Sequence, residues 1–294
     1  MFPLKYEGDV FRPPSEARSL ILQATVGCSH NRCTFCAMYK RKKYRERELD
    51  EIMEEIALTS RLMPRTRRVF LADGNALAMK TEKLLRILQQ LEKSFPALER
   101  VSLYGNPQDM LQKSTAELRD FKQNKLGIIY LGIESGSAAV LEAVNKGVTP
   151  REIAAGAARA KEAGVPLSIT VINGLAGADG SAGHARDTAR LLNEIDPEYL
   201  GLLSLMAVPG TTLHRRIRKG LFSPPGPWDL LKEIQMIVSD LRLTDCVFRA
   251  NHASNYLPLK AVLSREQEKL LADLNRIIEQ KAPGSLKSEY LRGL

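Results

Sequence analysis

The chain has 294 residues, of which 44% are hydrophobic, so it is long enough to bury the core of one large α/β domain, with or without an appendage. Charged residues interrupt Met1–Ser19, and no later stretch reaches the ~18 apolar residues of a membrane span. We therefore expect a cytoplasmic protein. Forty-three Lys and Arg against 34 Asp and Glu give a net charge of +9, which favours acidic partners such as phosphorylated metabolites, carboxylates, RNA or an acidic electron carrier.

Short apolar runs alternate with amphipathic segments along most of the chain. Between the runs, apolar residues recur at three-four spacing, as in Leu49, Ile52 and Ile56, which predicts helices. Strands joined by helices of this length require right-handed crossovers, so the pattern predicts a parallel sheet. The six runs that predict strands are Leu20–Thr25, Val69–Ala72, Val101–Tyr104, Gly127–Gly132, Leu167–Ile172 and Tyr199–Leu205.

Six strand-helix units are fewer than the eight of a closed barrel. The predicted fold is therefore α/β, an incomplete (βα)6 TIM-type barrel over residues 17–215, with its site at the C-terminal ends of the strands. A break in composition at Ser223–Pro227 precedes two predicted helices, Trp228–Leu243 and Ser264–Gln280, which flank the segment Cys246–Leu259. We expect residues 216–294 to form a helical C-terminal extension that caps the barrel mouth.

Three of the four cysteines, Cys28, Cys33 and Cys36, fall within nine residues directly after the first predicted strand. Their C-x4-C-x2-C spacing places three thiols at a strand end, where the active sites of barrel enzymes lie. Three thiolates suit an iron-sulfur cluster, because a cubane with three protein ligands keeps one iron open. The alternatives are structural zinc, completed by His30 or Cys246, and buried thiols without a metal.

The densest basic run, Lys40–Arg47, holds six cations in eight positions and follows the third cysteine. It is typical of a solvated surface, but it also supports an alternative function, a non-catalytic metal-stabilised RNA-binding protein. Eight Phe, eight Tyr and one Trp offer little for base stacking, and no RNA-binding signature is visible. Nucleic acid is therefore an alternative partner that the sequence does not favour.

Polar and glycine-containing segments follow the second to fifth predicted strands, as Ala72–Asn75, Tyr104–Pro107, Gly132–Ser137 and Val171–Gly177. With the cysteine motif, these segments make the chain from about Leu20 to Pro209 resemble the radical S-adenosylmethionine (SAM) superfamily. The usual cysteine spacing there is C-x3-C-x2-C. The spacing found here resembles the elongator-type tRNA-modifying branch, and the chain is also similar to the coproporphyrinogen oxidase-like and biotin synthase-like branches.

The resemblance implies that Cys28, Cys33 and Cys36 hold an oxygen-sensitive 4Fe-4S cluster, whose open iron binds SAM. It implies reductive cleavage of SAM, abstraction of a hydrogen from an unidentified substrate, and a reduced flavodoxin or ferredoxin-type electron donor. Within the resemblance, Glu134 is expected to bind the SAM amino group and Lys146 its carboxylate. The residues expected to contact the cofactor are Phe35, Asp73, Gly74, Asn75, Asn106, Glu134, Ser135, Lys146, Asn173 and Gly174.

The segment Asp245–Tyr256 is rich in polar side chains and has no helical period. We expect it to fold over the barrel mouth, with His252 and Asn255 as catalytic residues that contact the substrate. The alternative is that these side chains only satisfy buried backbone groups. Methylthiotransferases and other two-cluster enzymes need at least three further cysteines, so Cys246 alone argues against that subclass. We expect no cobalamin-binding domain of the usual kind, because the residues before Leu20 leave no room for one.

Overall fold

The computed structural model describes residues 4–293, which divide into two compact units. The first comprises residues 4–31, Met38–Gly132 and Ala155–Leu167. The second comprises Arg32–Ala37, Ile133–Ala154 and residues 168–293. The predicted division at residues 215 and 216 stays a prediction.

Strands and helices alternate along most of the described chain. The strands are β1 (Leu20–Gln23), β2 (Thr25–Val26), β3 (Arg45–Glu46), β4 (Arg68–Ala72), β5 (Arg100–Gly105), β6 (Leu126–Glu134), β7 (Leu167–Asn173), β8 (Tyr199–Ser204), β9 (Cys246–Ala250) and β10 (Leu259–Leu263). The α-helices are α1 (Leu49–Leu62), α2 (Thr81–Ser94), α3 (Pro107–Leu111), α4 (Thr115–Gln123), α5 (Ala138–Ala143), α6 (Pro150–Glu162), α7 (Gly177–Ile195), α8 (Thr212–Arg218), α9 (Pro227–Asp240) and α10 (Gln267–Gln280). Short 3-10 turns lie at Pro14–Glu16, Ala76–Ala78 and Glu289–Leu291.

The main sheet has eight strands in the order β1-β4-β5-β6-β7-β8-β9-β10. The pairs β1–β4, β4–β5, β5–β6, β7–β8 and β8–β9 are parallel, as in Leu20 opposite Val69 and Ser168 opposite Tyr199, whereas β9 and β10 are antiparallel. The two edge strands do not pair with each other, so the barrel is not closed. The predicted α/β class with an incomplete barrel is confirmed, and all six predicted strands are present.

The sequence analysis missed the last two strands of the sheet. Strand β9 adds to β8 in parallel, with Tyr199 opposite Val247, and β10 returns antiparallel to it. Burial alternates along β9, where Cys246, Phe248 and Ala250 face inward. A period of two over five residues is a weak signal next to the strong helical periods on either side. Part of the C-terminal extension therefore lengthens the sheet instead of being helical.

Apolar faces at helical spacing explain why the flanking helices form. Helix α1 buries Ile52 and Ile56, and α2 buries Leu84, Leu88 and Leu91. Fully burying one such side chain contributes about 1.5–3 kcal/mol, so these faces outweigh the weak intrinsic stability of a 14-residue helix. Within residues 4–293, none of the helices combines the length and the apolar character that crossing a membrane requires.

Candidate active site

The three clustered cysteines lie in the loop that follows β2. Cys28, Cys33 and Cys36 are partly exposed, and none of them is in a disulfide. In the part of the chain that the structure describes, no three His, Cys, Asp or Glu side chains are grouped tightly enough to hold one metal ion. A cubane cluster binds its thiolates through separate irons, so its ligands do not converge on one point.

The segment after β4 packs directly against the start of this cysteine loop. A Cβ atom on Gly74 would lie 2.2 Å from the Gly27 carbonyl oxygen and 2.8 Å from the Cys28 Cα. Real Cβ atoms do not approach other atoms this closely, so only glycine allows the two backbones to touch. Gly74 therefore fixes the position of the Cys28 backbone.

Asp73 is fully buried beside the same loop. Its Oδ2 atom accepts from Lys42 Nζ at 2.7 Å and from the Gly27 N–H at 3.3 Å, while its Oδ1 atom is buried with no hydrogen-bond partner in the described chain. Lys42 is itself mostly buried, so the two charges compensate each other. The Asp73 carboxylate thus holds the loop, and its predicted contact with SAM stays a prediction.

A network with the buried side chains of Asn75 and Asp109 at its centre joins the ends of β4 and β5 to the cysteine loop, and we call Ser29, Asn75, Asn106 and Asp109 the cysteine-loop network. Asn75 Oδ1 accepts from the Ser29 N–H at 2.9 Å, and Asn75 Nδ2 donates to Ser29 Oγ and to Asp109 Oδ2, both at 2.6 Å. Asp109 Oδ2 also accepts from the Asn106 N–H at 2.8 Å. Burial raises the pKa of Asp109, although its hydrogen bonds oppose the shift.

Two N–H groups point at the sulfur of Cys28. The Asn106 side-chain amide lies 3.4 Å from Cys28 Sγ, and the Asn31 backbone N–H lies 3.5 Å from it. Sulfur that accepts N–H donors is better suited to carry thiolate charge than sulfur in an apolar pocket. Three partly exposed thiols with such donors fit an iron-sulfur cluster by donor chemistry.

Cys246 is in the opposite environment. It is fully buried in β9, and burial, followed by the charges of Asp196, Glu198 and Asp245, raises its pKa to about 12. A thiol held neutral in this way is a poor metal ligand. Cys246 therefore behaves as a core residue.

Phe35 lies in the same loop and faces an apolar cluster of the second unit. The Thr34 N–H donates to the Val144 carbonyl at 2.9 Å, and the Leu213 N–H donates to the Thr34 carbonyl at 2.9 Å, which ties this part of the loop to α5 and α8. The buried residues against which Phe35 packs are Val140, Val144, Leu175, Leu205 and Leu213. Phe35 thus has a packing role, and its predicted contact with the cofactor stays a prediction.

Glu134 and Lys146 form an ion pair after β6. Glu134 Oε1 lies 2.9 Å from Lys146 Nζ, and both side chains are mostly buried. Glu134 has a φ of +68°, which is uncommon for a residue other than glycine. Beside it, Ser135 is fully buried and accepts the Ser137 N–H at 2.9 Å.

A second buried network follows β7, and we call Gly174, Ser181, His184 and Glu233 the α7–α9 network. The Glu233 carboxylate accepts from the Gly174 N–H at 2.7 Å, from the Ser181 hydroxyl, and from His184 Nδ1 at 2.9 Å. The side chain of Asn173 donates to the Leu230 carbonyl at 3.0 Å. Asn173 and Gly174, two of the residues predicted to contact the cofactor, are therefore held by α9, and their contact with the cofactor stays a prediction.

The two predicted catalytic residues lie in the turn between β9 and β10. Asn255 is buried, and its amide accepts from Ser204 Oγ and donates to the Leu202 carbonyl, both at 2.8 Å. His252 is half-buried, and its Nδ1 atom lies 2.9 Å from Ser254 Oγ. Burial, and then the charge of Lys287, lower the pKa of His252, which keeps the ring neutral near pH 7. Both side chains have positioning roles, and a contact with substrate stays a prediction.

Two of the six cations in the basic run face inward. Arg47 is buried, with NH2 at 2.7 Å from Glu55 Oε1 on α1, and Lys42 pairs with Asp73. The run therefore anchors the chain after the cysteines to the sheet, instead of presenting all its charge to solvent. This use of the cations weakens the main support for the RNA-binding alternative.

Sequence reasoning missed Asp109, Glu233 and Lys42. Asp109 stands three residues after Asn106, at the start of α3, and this spacing is a helix N-terminal signal that could have been read. Glu233 lies on the buried face of α9 between Leu230 and Ile237, where a charge is unexpected. No pattern in the sequence marks Lys42 among its basic neighbours.

Residues 22–190 of the chain match the Radical SAM superfamily. The match spans more than half of the chain and includes the cysteine loop, so the chain belongs to this superfamily. The RNA-binding alternative is not favoured.

Two curated relatives are similar over part of their length. An uncharacterized methyltransferase of Pyrococcus horikoshii is 26% identical over 198 residues, which are 66% of this chain and 40% of that protein. The tRNA-2-methylthio-N(6)-dimethylallyladenosine synthase of Prosthecochloris aestuarii is 25% identical over 218 residues, which are 71% of this chain and 48% of that protein. The chain thus spans about half, or less, of the length of these relatives, and they suggest an enzyme.

Solved structures share the fold at low identity. Coproporphyrinogen III oxidase from Escherichia coli has a TM-score of 0.57 at 16% identity, over 75% of this chain and 51% of that chain. Methylornithine synthase has a TM-score of 0.53 at 15% identity, over 76% and 63%. The Elp3 protein of Methanocaldococcus infernus has a TM-score of 0.52 at 14% identity, over 79% and 59%. These likenesses concern the fold.

Proposed function

We propose that the chain is a radical SAM enzyme that holds one 4Fe-4S cluster on Cys28, Cys33 and Cys36 and abstracts a hydrogen atom from its substrate. The observation that carries the proposal is the loop after β2, with three partly exposed thiols within nine residues, in a member of this superfamily. When bound, the cluster and SAM supply one-electron cleavage of a sulfur-carbon bond, which releases a 5'-deoxyadenosyl radical. A reduced flavodoxin or ferredoxin-type protein is the proposed electron donor.

The cysteine loop contributes ligands and a fixed backbone. Cys28, Cys33 and Cys36 bind iron as thiolates and leave one iron of a cubane open. Gly74 holds the Cys28 backbone by direct contact, and Asn106 donates a hydrogen bond to its sulfur. These residues position the cofactor. The cofactor supplies the radical chemistry, and the protein orients it and excludes water.

The pair of Glu134 and Lys146 is the proposed holder of the amino acid end of SAM. A carboxylate 2.9 Å from an ammonium group, with both mostly buried, presents the two opposite charges that an α-amino and an α-carboxylate group need. Glu134 would accept from the SAM amino group, and Lys146 would donate to the SAM carboxylate. The ion pair compensates both charges until SAM binds.

Anaerobic reconstitution with iron and sulfide tests the cluster assignment. We expect iron and sulfide to bind with absorbance at about 400 nm, and 5'-deoxyadenosine to form from SAM after reduction. Changing Cys28, Cys33 or Cys36 to Ala should abolish iron retention and SAM cleavage. The matched control is Cys246→Ala, which should keep both because this thiol is buried and neutral. Bound zinc without iron, or normal iron in a loop variant, would contradict the assignment.

Titration with SAM tests the role of Glu134. Glu134→Gln removes the negative charge, so we expect SAM to bind more weakly by ~1.5–3 kcal/mol, the usual contribution of a hydrogen bond to a charged group. The cluster spectrum should not change. The control is Glu142→Gln on α5, an exposed carboxylate in the same unit. Equal SAM affinity in the two variants would remove Glu134 from the site.

A further inference from the structure

The hydrogen bonds around Cys28 involve an unusual side-chain donor. Asn106, 78 positions along the chain from Cys28, places its side-chain Nδ2 atom 3.4 Å from Cys28 Sγ. A further donor to this sulfur is the backbone N–H of Asn31, at 3.5 Å. Only the first of these two contacts depends on the identity of a side chain, so a substitution can remove it without moving the loop backbone.

The backbone from which the Asn106 side chain extends is held by Asp109. The carboxylate of Asp109 accepts the backbone N–H of Asn106 at 2.8 Å, and the same oxygen accepts from Asn75 Nδ2 at 2.6 Å. Asn75 in turn holds both the N–H and the hydroxyl of Ser29, the residue after Cys28. Asp109 and Asn75 are almost completely buried, so water does not compete for these bonds.

A donor aimed at a ligand sulfur has a defined electrostatic effect. Reduction adds negative charge to a cluster and its thiolates, and an N–H group stabilises that charge more in the reduced than in the oxidised state. Hydrogen bonds to the sulfurs therefore raise the reduction potential of an iron-sulfur cluster.

We propose that Asn106 raises the reduction potential of the cluster by donating its side-chain N–H to Cys28 Sγ, and that Asp109 is the positioning residue that aims Asn106. This inference rests on the proposed function, because it takes Cys28 as an iron ligand. It assigns to Asn106 a contact with a ligand sulfur instead of the predicted contact with SAM.

A redox titration of the reconstituted full chain, followed by electron paramagnetic resonance of the reduced cluster, tests the role of Asn106. Asn106→Leu keeps the size of the side chain and removes the donor. We expect the ratio of oxidised to reduced cluster at a fixed potential to rise about threefold to tenfold, and tenfold corresponds to about 59 mV for a one-electron couple. The control is Asn124→Leu, because the bonds of Asn124 go to the Asp120 and Phe121 carbonyls of its own helix end.

Asn106→Ala is the second variant. It also removes the side-chain donor, and it covers the case in which a leucine side chain does not fit at this position. A lower potential in either variant, with wild-type iron content, supports the inference. An unchanged potential with full iron content overturns it. Loss of iron from both variants, with the control intact, also overturns it, because Asn106 would then hold the cluster and not tune it. A wild-type chain that binds no iron would instead overturn the proposed function.

A double-mutant cycle tests the positioning role of Asp109 separately from its own charge. Asp109→Asn removes a negative charge and shifts the potential directly, but this shift is common to both arms of the cycle and cancels. If Asp109 aims Asn106, the effect of Asn106→Leu should fall to about half or less in the Asp109→Asn background. An undiminished effect of Asn106→Leu would overturn the positioning role.

Discussion

The cysteine-loop network in the first unit and the α7–α9 network in the second unit share one structural feature. Each centres on a buried carboxylate that accepts a backbone N–H just after a strand. Asp109 accepts the Asn106 N–H at 2.8 Å after β5, and Glu233 accepts the Gly174 N–H at 2.7 Å after β7. In both cases the carboxylate fixes a strand end that the superfamily resemblance links to the cofactor.

The two networks differ in where they end. The cysteine-loop network leads to the partly exposed sulfur of Cys28, through Asn106. The α7–α9 network is closed, because the side chains of His184 and Glu233 are fully buried and His184 Nε2 has no hydrogen-bond partner in the described residues. A buried carboxylate can thus serve either to aim a group at a reactive site or to lock helices together, depending on whether its partners reach the surface.

The largest effect on stability is expected at Glu233. Glu233→Ala leaves the Gly174 N–H, the Ser181 hydroxyl and His184 without their acceptor in a sealed core, and removing one member of such a pair costs ~3–5 kcal/mol. Urea unfolding measures the loss. The control is Asp229→Ala, a carboxylate on the same helix that is about half exposed and should change stability by less than ~0.5 kcal/mol. Equal losses in the two variants would show that the α7–α9 network does not lock the unit.

A smaller effect is expected at Asp109. Asp109→Ala also leaves donors without an acceptor, but the network borders a partly exposed loop, so water can replace some bonds and the cost should be ~1–3 kcal/mol. Iron should leave the reconstituted variant faster in the presence of a chelator, because Ser29 and Asn106 are no longer held. The control is the exposed Asp120→Ala on α4. A loss of stability in Asp109→Ala as large as that in Glu233→Ala, with an unchanged rate of iron release, would contradict the expected difference between the two networks.

The sequence predicted the parts of this comparison that depend on neighbours in the chain. The cysteine loop and the six strands were found because spacing and apolar runs are local signals. The two carboxylates were missed because their partners are distant: Ser29 Oγ lies 80 positions from Asp109, and Gly174 lies 59 positions from Glu233. Only tertiary packing brings such groups together, and a single sequence does not record which polar residues will meet.

The contact between Glu134 and Lys146 could not be predicted from the sequence either, although these two residues are closer together in the chain. They lie 12 positions apart, and their predicted contacts with SAM came from the family resemblance. Glu134 also has a left-handed backbone, with a φ of +68°, which cannot be predicted from its residue type. Candidate residues for the site could therefore be named from the sequence, whereas their contacts with one another could not.

The smallest expected effect is a pH dependence of the stability that Asp109 contributes to the cysteine-loop network. Because burial raises the pKa of Asp109 above its ordinary value of 3.8, its contribution to stability is fully present below about pH 3.8 and is lost as the pH rises through the folded-state pKa. Asp109→Asn cannot titrate, so the stability difference between the wild type and this variant should shrink as the pH rises from about 4 towards 7. Urea unfolding of the metal-free proteins across this range measures the change, with Asp120→Asn as the control whose difference from the wild type should stay flat. A difference that grows with pH would mean that the hydrogen bonds from Asn75, Ser29 and the Asn106 N–H outweigh burial, and Asp109 would then be held as a stable anion beside the cysteine loop.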